Sequence, residues 1–296
     1  MFMGNRKCMV VLMGLAASAL ALAPPIAPPA AASITLPVLP SGLMVNYESA
    51  NYDASTGVWT DTSGNANNAS VANAATYNQL SSNGTPTLVT NATPNGSSAV
   101  QFTFSATAPG TLGQSLGLTT PLSSSIGFTI FAYILPSSAM ATANGGFVGG
   151  QGGSLEYRLA NTFHQDLLVE DTADLGMSST ALSDASWNNI NVTASSVGGG
   201  GGYFRFNGSA DGTTTAPSGA FNPIQAIGDG NVNGTEYFAG EIAGLQIYSG
   251  ELTGAQRTTV ETYFTDLYAI PEPATLGLLA AMGVGLLLLG RKRPQA

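Results

Sequence analysis

Oxygen-bearing side chains recur at alternate positions in two short stretches of the sequence. The first stretch contains Asp61, Ser63, Asn65 and Asn67, and the second contains Asp229, Asn231 and Asn233. Calcium is bound by carboxylate, amide and backbone carbonyl oxygens, so both stretches are candidate calcium sites. An EF-hand is not supported in the second stretch, because its twelfth position, which should be a glutamate, is Gly240. Each stretch also fits an ordinary turn without a metal.

Residues suited to catalysis are scarce. His164 is the only histidine and Cys8 the only cysteine, so the sequence lacks the nitrogen and sulfur ligands of a zinc site. Neighbours Glu170 and Asp171 would point to opposite faces of a strand, which does not suit two carboxylates acting on one glycosidic bond. We therefore expect no enzyme activity. The alternative is a carbohydrate-active enzyme whose acids come from separate loops, with candidates Asp166, Glu170, Asp171 and Asp184.

The chain has few charged residues, and most of them are acidic. Charged residues make up 8% of the 296 residues, and 17 Asp and Glu against 8 Lys and Arg give a formal net charge of −9. Only Arg158, Arg205 and Arg257 lie between two basic termini. Binding to a phosphate backbone needs clustered Lys and Arg, so nucleic acid is excluded as a partner.

The N-terminus is typical of a secretory signal peptide over residues 1–32. Arg6 and Lys7 precede an apolar run that ends at Ala23, and small residues follow up to Ala32. Cleavage after Ala32 would remove Cys8 and leave an exported chain without thiols or disulfides, held together by packing alone. Residues 33–42 then form a spacer. A retained N-terminal anchor is the alternative.

The C-terminus, residues 270–296, has three parts. Pro271, Glu272 and Pro273 come first, residues 274–290 form an apolar stretch of 17 residues, and Arg291, Lys292 and Arg293 follow. As a helix this stretch is about 25 Å long, at the short limit for crossing a bilayer. The trailing basic residues favour a cytoplasmic end.

This tail resembles the PEP-CTERM sorting signal of exopolysaccharide-producing Gram-negative bacteria. The resemblance implies that the apolar helix enters the inner membrane transiently and that a membrane exosortase recognises and cleaves the tail near Pro271, Glu272 and Pro273. It places the product in the cell envelope, on the surface or in the extracellular matrix. A permanent single-span anchor is the alternative.

The sequence between the two ends predicts one all-β domain over residues 43–269. Short β-branched and aromatic runs are separated by clusters of Gly, Asn, Ser, Thr and Pro. Apolar and polar residues alternate in the run 100–104, as expected for a strand with one buried face. The predicted strands are 43–48, 99–104, 128–135, 155–159, 167–170, 187–193, 203–206 and 242–248. The five glycines 198–202 predict a loop between two of them.

One amphipathic helix is predicted after the last strand. Thr253 can cap it, and Gln256 three residues later can complete a capping box. Its apolar stripe is Val260, Tyr263, Phe264 and Leu267. We expect this stripe to pack against the domain.

Several blocks of the sequence resemble LamG-like domains of the concanavalin A type. The block 59–69 is similar to an early W-x-D-x-S-G-N-x-N-x-A loop, 187–193 and 203–208 to a strand pair, and 238–248 to a closing strand before a helix. The resemblance implies an antiparallel jelly-roll sandwich with one C-terminal helix. The five glycines depart from the pattern, as does 243–245, where family members usually place an acidic residue.

These features together predict an exported and sorted surface or matrix protein. Its LamG-like domain is expected to bind carbohydrate or protein ligands without catalysis. Trp59 and Trp187 are of the type that stacks on sugar rings, but their positions in the motifs favour packing roles. A purely structural surface protein is the alternative to a binding protein.

Overall fold

The computed structural model describes eleven segments of the chain, which cover most of the predicted domain. They are residues 36–77, 84–103, 113–142, 145–150, 156–160, 166–170, 174–184, 186–195, 201–215, 221–230 and 236–269. The predicted signal peptide, most of the five-glycine loop and the predicted sorting tail lie outside these segments.

Two antiparallel sheets form the domain. The eight-stranded sheet A has the order β15-β14-β13-β8-β17-β6-β5, and β1 also pairs with β17. Its strands are β1 (Leu43–Glu48), β5 (Thr87–Val89), β6 (Ala99–Phe102), β8 (Gly127–Pro136), β13 (Asn188–Ser195), β14 (Gly202–Phe206), β15 (Ser209–Thr214) and β17 (Gly240–Ser249).

The nine-stranded sheet B has the order β12-β11-β10-β9-β16-β7-β4-β3-β2. Its strands are β2 (Tyr52–Asp53), β3 (Val58–Trp59), β4 (Ala69–Ser70), β7 (Leu116–Leu122), β9 (Gly145–Gly149), β10 (Glu156–Ala160), β11 (Asp166–Glu170), β12 (Asp174–Ala181) and β16 (Ile224–Ile227). Short 3₁₀ turns at Ser49–Asn51 and Ser138–Thr142 complete the connections.

The main hydrophobic core lies between the two sheets. Residues from both sheets are fully buried in it, among them Trp59, Phe102, Phe147, Phe204 and Ile247. Because alternate residues of a strand face opposite sides, the central strands turn about every second side chain towards this core. The predicted all-β jelly-roll sandwich is confirmed, and the strand predicted at 43–48 has the observed bounds.

A C-terminal helix covers the outer face of sheet A. This helix, α2 (Gly254–Phe264), begins with the predicted capping box between Thr253 and Gln256 and continues as a π-helical turn, Thr265–Ala269. Its predicted stripe is buried at Val260, Tyr263 and Phe264 and packs on a second cluster that includes Phe131, Tyr133 and Tyr248. The predicted C-terminal amphipathic helix is therefore confirmed.

Gly244 explains the departure from the family pattern in β17. A Cβ atom built on Gly244 would lie 2.6 Å from Phe264 Cε1 and 2.8 Å from the hydroxyl of Tyr268. Non-bonded carbon atoms repel each other at such distances, so a side chain at this position would not fit in the close-packed interior. The glycine thus lets the helix approach the sheet, and an acidic side chain at this position would push it away.

A carboxylate ties the edge of sheet A to the edge of sheet B. Asp211 on β15 accepts hydrogen bonds from the backbone N–H groups of Ser179 (2.9 Å) and Thr180 (3.0 Å) on β12, and from both hydroxyl groups. Burial alone raises the pKa of Asp211, but the bonds from Thr180 and Ser179 outweigh it and lower the pKa below its ordinary value. The clamp therefore favours the ionised carboxylate.

A short helix between β4 and β5 was not predicted from the sequence. Helix α1 (Val71–Thr76) is capped by Ser70, whose side chain accepts a hydrogen bond from the backbone N–H of Asn73 at 3.0 Å. A six-residue helix is too short for a period of 3.6 to stand out in the sequence. It packs beside β7, where Gly117 gives the backbone of Asn73 and Ala74 room to approach.

Candidate functional site

The carboxylate of Asp61 is the centre of the first predicted calcium loop. It is 7% exposed. Oδ1 accepts from the backbone N–H groups of Asn46 and Ser63, both at 2.9 Å, and Oδ2 accepts from the Ser63 hydroxyl at 2.9 Å and the Asn67 N–H at 3.0 Å. A carboxylate offers about four acceptor positions. All four are filled by donors of the chain.

The other predicted ligands of this loop also have partners within the protein. The Asn65 amide donates to the backbone carbonyls of Leu43 (3.0 Å) and Met44 (2.9 Å). The Asn67 amide exchanges two hydrogen bonds with the backbone of Thr120, at 2.8 and 2.9 Å. The structure therefore brings together all four predicted ligands of this loop. Their hydrogen bonds hold the loop against β1 and β7. Calcium at this loop stays a prediction.

The second predicted calcium loop is described only at its start. Asp229 is fully buried and forms a β-bridge with Tyr237. The adjoining Gly230 lies directly on β9, where a Cβ built on Gly149 would be 1.8 Å from its carbonyl oxygen. Asn231 and Asn233 lie outside the described residues. Calcium at this loop therefore also stays a prediction.

The described segments add no metal site of another kind. They contain no group of three or more His, Cys, Asp or Glu side chains that could hold an ion. Within the same segments, no helix combines the length and the apolar character needed to span a membrane. The predicted sorting residues Pro271, Glu272, Pro273, Arg291, Lys292 and Arg293 lie outside them, as does His164.

A hollow of about 580 Å³ opens beside the 61–67 loop. We call it the loop-end hollow, and it is lined by residues 42–44 before and in β1, 65–67 of the loop, and 120–123 at the end of β7 and just beyond. Thr120 and Ser123 are exposed, as is Asn65. None of the described residues that line the hollow is charged. Ala66 has a φ of 54°, so the chain turns sharply here to form the rim.

The acids proposed for a hydrolase lie on different parts of the chain, and the structure describes three of the four. Asp166 and Glu170 stand at opposite ends of β11, so their Cα atoms are about 13 Å apart along the strand. Asp171 lies outside the described residues. Asp184 instead lines a smaller hollow of about 290 Å³ together with Glu241. Burial raises the pKa of Glu241 above its ordinary value.

Both tryptophans take part in packing. Trp59 is fully buried, lies 5.6 Å from the Tyr47 ring and donates its indole N–H to the carbonyl of Glu48 at 2.8 Å. Trp187 is half-buried, stacks on Tyr133 at 5.2 Å and donates to the carbonyl of Ala92 at 3.0 Å. The preference for packing roles over sugar stacking is confirmed for Trp59 by its complete burial.

Sequence reasoning missed the β7 side of the loop-end hollow and the position of Glu241 beside Asp184 in the smaller hollow. Residues 120–123 carry no motif, and they reach the 61–67 loop because β4 pairs with β7, with Ala69 opposite Leu118. The one available signal was the turn chemistry of Pro121 and Ser123 after an apolar run.

Comparison with solved structures finds similar structures at low identity. Domain 4 of the extracellular arabinanase AbnA from Geobacillus stearothermophilus, solved with arabinotriose, is 19% identical with a TM-score of 0.46, covering 74% of this chain and 98% of that domain. Trypanosoma rangeli sialidase is 15% identical with a TM-score of 0.50, covering 77% of this chain and 35% of the sialidase. The binding domain of Paraclostridial Mosquitocidal Protein 1 is 14% identical with a TM-score of 0.51, covering 75% and 52%.

The chain thus spans about a third of the sialidase and half of the mosquitocidal binding domain. A comparison with curated protein sequences gives no match. The family described as the concanavalin A-like lectin/glucanases superfamily matches residues 109–256, half of the chain, within the LamG-like domain predicted from the sequence. The chain therefore belongs to the concanavalin A-like lectin/glucanases superfamily.

Proposed function

We propose that the sandwich is a non-catalytic binding module for carbohydrate or protein ligands outside the cell, and that it uses the loop-end hollow. The observation that carries the proposal is the uncharged lining of this hollow by exposed amide and hydroxyl side chains, on a lectin-type fold. Asn65, Thr120 and Ser123 expose such groups at its rim. Clefts of this size are large enough for a small ligand.

Neutral glycans fit this lining better than charged ligands. Their hydroxyl groups both donate and accept hydrogen bonds, as do Ser, Thr and Asn side chains. A net charge of −9 over the chain disfavours acidic ligands at long range. The proposal therefore names neutral polysaccharide first, with a surface protein as the alternative ligand.

Co-sedimentation with the extracellular polysaccharide of the producing bacterium tests the proposal. Ser123 is exposed at the rim, so Ser123→Trp fills the loop-end hollow without touching the core. We expect the wild-type chain to co-sediment and Ser123→Trp to lose about tenfold in affinity. Ala255→Trp adds the same side chain at an exposed position of α2 outside the hollow and should bind as the wild type. Absence of co-sedimentation with or without calcium would contradict the glycan proposal.

Export and sorting are part of the same proposal. The support is the order of segments in the sequence, with a signal peptide at 1–32 and the Pro-Glu-Pro, apolar and basic parts at 271–293. We propose that an exosortase processes this tail after export of the domain. The processed domain would then stay on the surface or enter the polysaccharide matrix.

One observation favours a second candidate function. Asp184 and Glu241 line one hollow, and burial raises the pKa of Glu241, as a general acid requires. Glycosidases use two such carboxylates on one bond. Release of reducing ends from a polysaccharide panel, abolished by Glu241→Gln and by Asp184→Asn, would establish this activity. If the wild type releases none, the module is non-catalytic towards that panel.

A further inference from the structure

A further pocket, of about 400 Å³, lies on the opposite side of sheet A from the core. We call it the helix-side pocket. One wall is helix α2 with the π-turn after it, and the other is β13 with the turn between β14 and β15. Its principal polar residues are Tyr133, Asn189, Asn207, Thr258, Glu261 and Thr265. None of these residues lines the loop-end hollow.

Asn189 has an unmet hydrogen-bonding requirement at this pocket. The residue is 6% exposed, and its Nδ2 donates to the carbonyl of Glu261 at 3.3 Å. Its Oδ1 is buried and accepts no hydrogen bond from the described part of the chain. A buried acceptor without a donor costs about 1–3 kcal/mol, so such an atom calls for a specific explanation. Oδ1 has almost no accessible surface, so a ligand could meet the requirement only after the amide turns towards the pocket.

The pocket walls offer further groups of both kinds. The hydroxyls of Thr258 and Thr265 donate to backbone carbonyls within the helix at 3.1 and 2.8 Å, which leaves their oxygens as acceptors. Burial raises the pKa of Tyr133 to about 12, so its phenol stays a neutral donor at physiological pH. The pocket therefore offers both hydrogen-bond acceptors, the two threonine oxygens, and a hydrogen-bond donor, the phenol of Tyr133.

The charges at this pocket disfavour ionic ligands. The carboxylate of Glu261 forms an ion pair with Arg205, with 2.7 Å between Oε1 and Nε, and the two side chains are 12% and 22% exposed. The arginine stays charged but is paired with this carboxylate, so it offers no unpaired cation to an anionic ligand. Glu261 in turn is paired and offers little to a cation. A neutral ligand with several hydroxyl groups fits this arrangement.

We propose that the helix-side pocket binds one unit of a neutral, polyhydroxylated sugar, with Asn189 Oδ1 turning into the pocket to accept a hydrogen bond from a sugar hydroxyl. A volume of about 400 Å³ is within the usual range for small-ligand sites. The inference goes beyond the proposed function, because it places a second sugar site on the helix-covered face, separate from the loop-end hollow.

Titration of the full chain with neutral disaccharides of glucose, galactose and N-acetylglucosamine tests this proposal, with calorimetry and saturation-transfer NMR as readouts. Thr262 is exposed and lines the pocket, so Thr262→Trp fills it from the helix surface. Ala255→Trp is the matched control on the same helix. We expect at least one disaccharide to bind the wild type and Ala255→Trp equally, and Thr262→Trp to lose about tenfold or more in affinity.

Ser123→Trp separates this proposal from the first one. If disaccharide binding survives Ser123→Trp but not Thr262→Trp, the helix-side pocket is the site, whatever the polysaccharide experiment gives. Equal binding by Thr262→Trp and the wild type, with unchanged melting temperatures, would overturn the inference. Failure of every disaccharide to bind would overturn it as well. Loss of binding in Ser123→Trp alone would overturn it and support the loop-end hollow.

Discussion

Two carboxylates in this sandwich each collect four hydrogen bonds, in very different surroundings. Asp61 is 7% exposed and fastens the 61–67 loop to β1 beside the loop-end hollow. Asp211 lies at the surface and clamps the edge strand β15 to β12 of the other sheet. In both cases a serine gives both its N–H and its hydroxyl to the carboxylate.

The two sites indicate that the number of hydrogen bonds does not by itself set how much a carboxylate adds to the free energy of unfolding. Removing Asp61 leaves two buried donors, the backbone N–H groups of Asn46 and Asn67, without an acceptor, and such donors are costly. Removing Asp211 leaves donors that water can solvate, so most of the loss is recovered. The loop beside the loop-end hollow should therefore depend strongly on its carboxylate, and the sandwich edge only weakly.

The largest expected effect is that of Asp61→Asn. In the variant, the NH₂ group of asparagine faces donors that bond to a carboxylate oxygen in the wild type. We therefore expect the free energy of unfolding to fall by about 3 kcal/mol. Urea denaturation monitored by tryptophan fluorescence measures it. Asp53→Asn is the control, since Asp53 accepts similar bonds from Ser55 and Thr56 but is exposed, and its change should be too small to resolve. Equal stability of Asp61→Asn and the wild type would refute the claim that the hydrogen bonds of Asp61 stabilise the fold.

Asp211→Asn should have a smaller effect. Its hydrogen bonds are exposed, so we expect a loss of about 1 kcal/mol or less in the free energy of unfolding. Hydrogen exchange should nevertheless become faster at the amides of Ser179 and Thr180, because these lose their acceptor. A loss as large as that of Asp61→Asn would contradict the comparison.

The contribution of Asp211 should also depend on pH. Its pKa in the folded protein lies below the ordinary value of 3.8, so the clamp stabilises the fold fully above that value. The contribution disappears as the pH falls through the lowered pKa, where the folded carboxylate takes up its proton. The stability difference between wild type and Asp211→Asn should therefore be constant near neutrality and shrink below about pH 4. A difference that grows on acidification would contradict this sign.

The smallest expected effect is that of calcium on the melting temperature. Because four donors fill the Asp61 carboxylate, we expect the same melting temperature with millimolar calcium and with a chelator. A calcium-dependent rise abolished by Asp61→Asn would show that the loop rearranges to bind the ion. A rise abolished by Asp229→Asn instead would assign the ion to the second loop.

The sequence predicted local features well and long-range ones poorly. The strand at 43–48, the capping box at Thr253 and the clustering of Asp61 with Ser63 all follow from spacing over a few residues. By contrast, Asp184 and Glu241 line one hollow only because of the register of the sheet, since β17 pairs with β8, which in turn pairs with β13. No local pattern encodes such a register.

The two candidate sugar sites show the same division. The loop side of the loop-end hollow was visible in the sequence because Asn65 and Asn67 stand in a spaced motif. The helix-side pocket was not visible, since Asn189 and Glu261 are 72 residues apart. They come together because Gly244 allows α2 to lie close on sheet A.

The most direct test of the account is the intact mass and location of the protein in its native producer. The wild type is compared with a variant in which Pro271, Glu272 and Pro273 are all replaced by alanine. We predict a mature species that begins near Ser33 and ends near the Pro-Glu-Pro motif, found in the envelope or matrix and lost in the variant. A full-length C-terminus in the inner membrane in both strains would contradict the proposed processing and sorting of the tail.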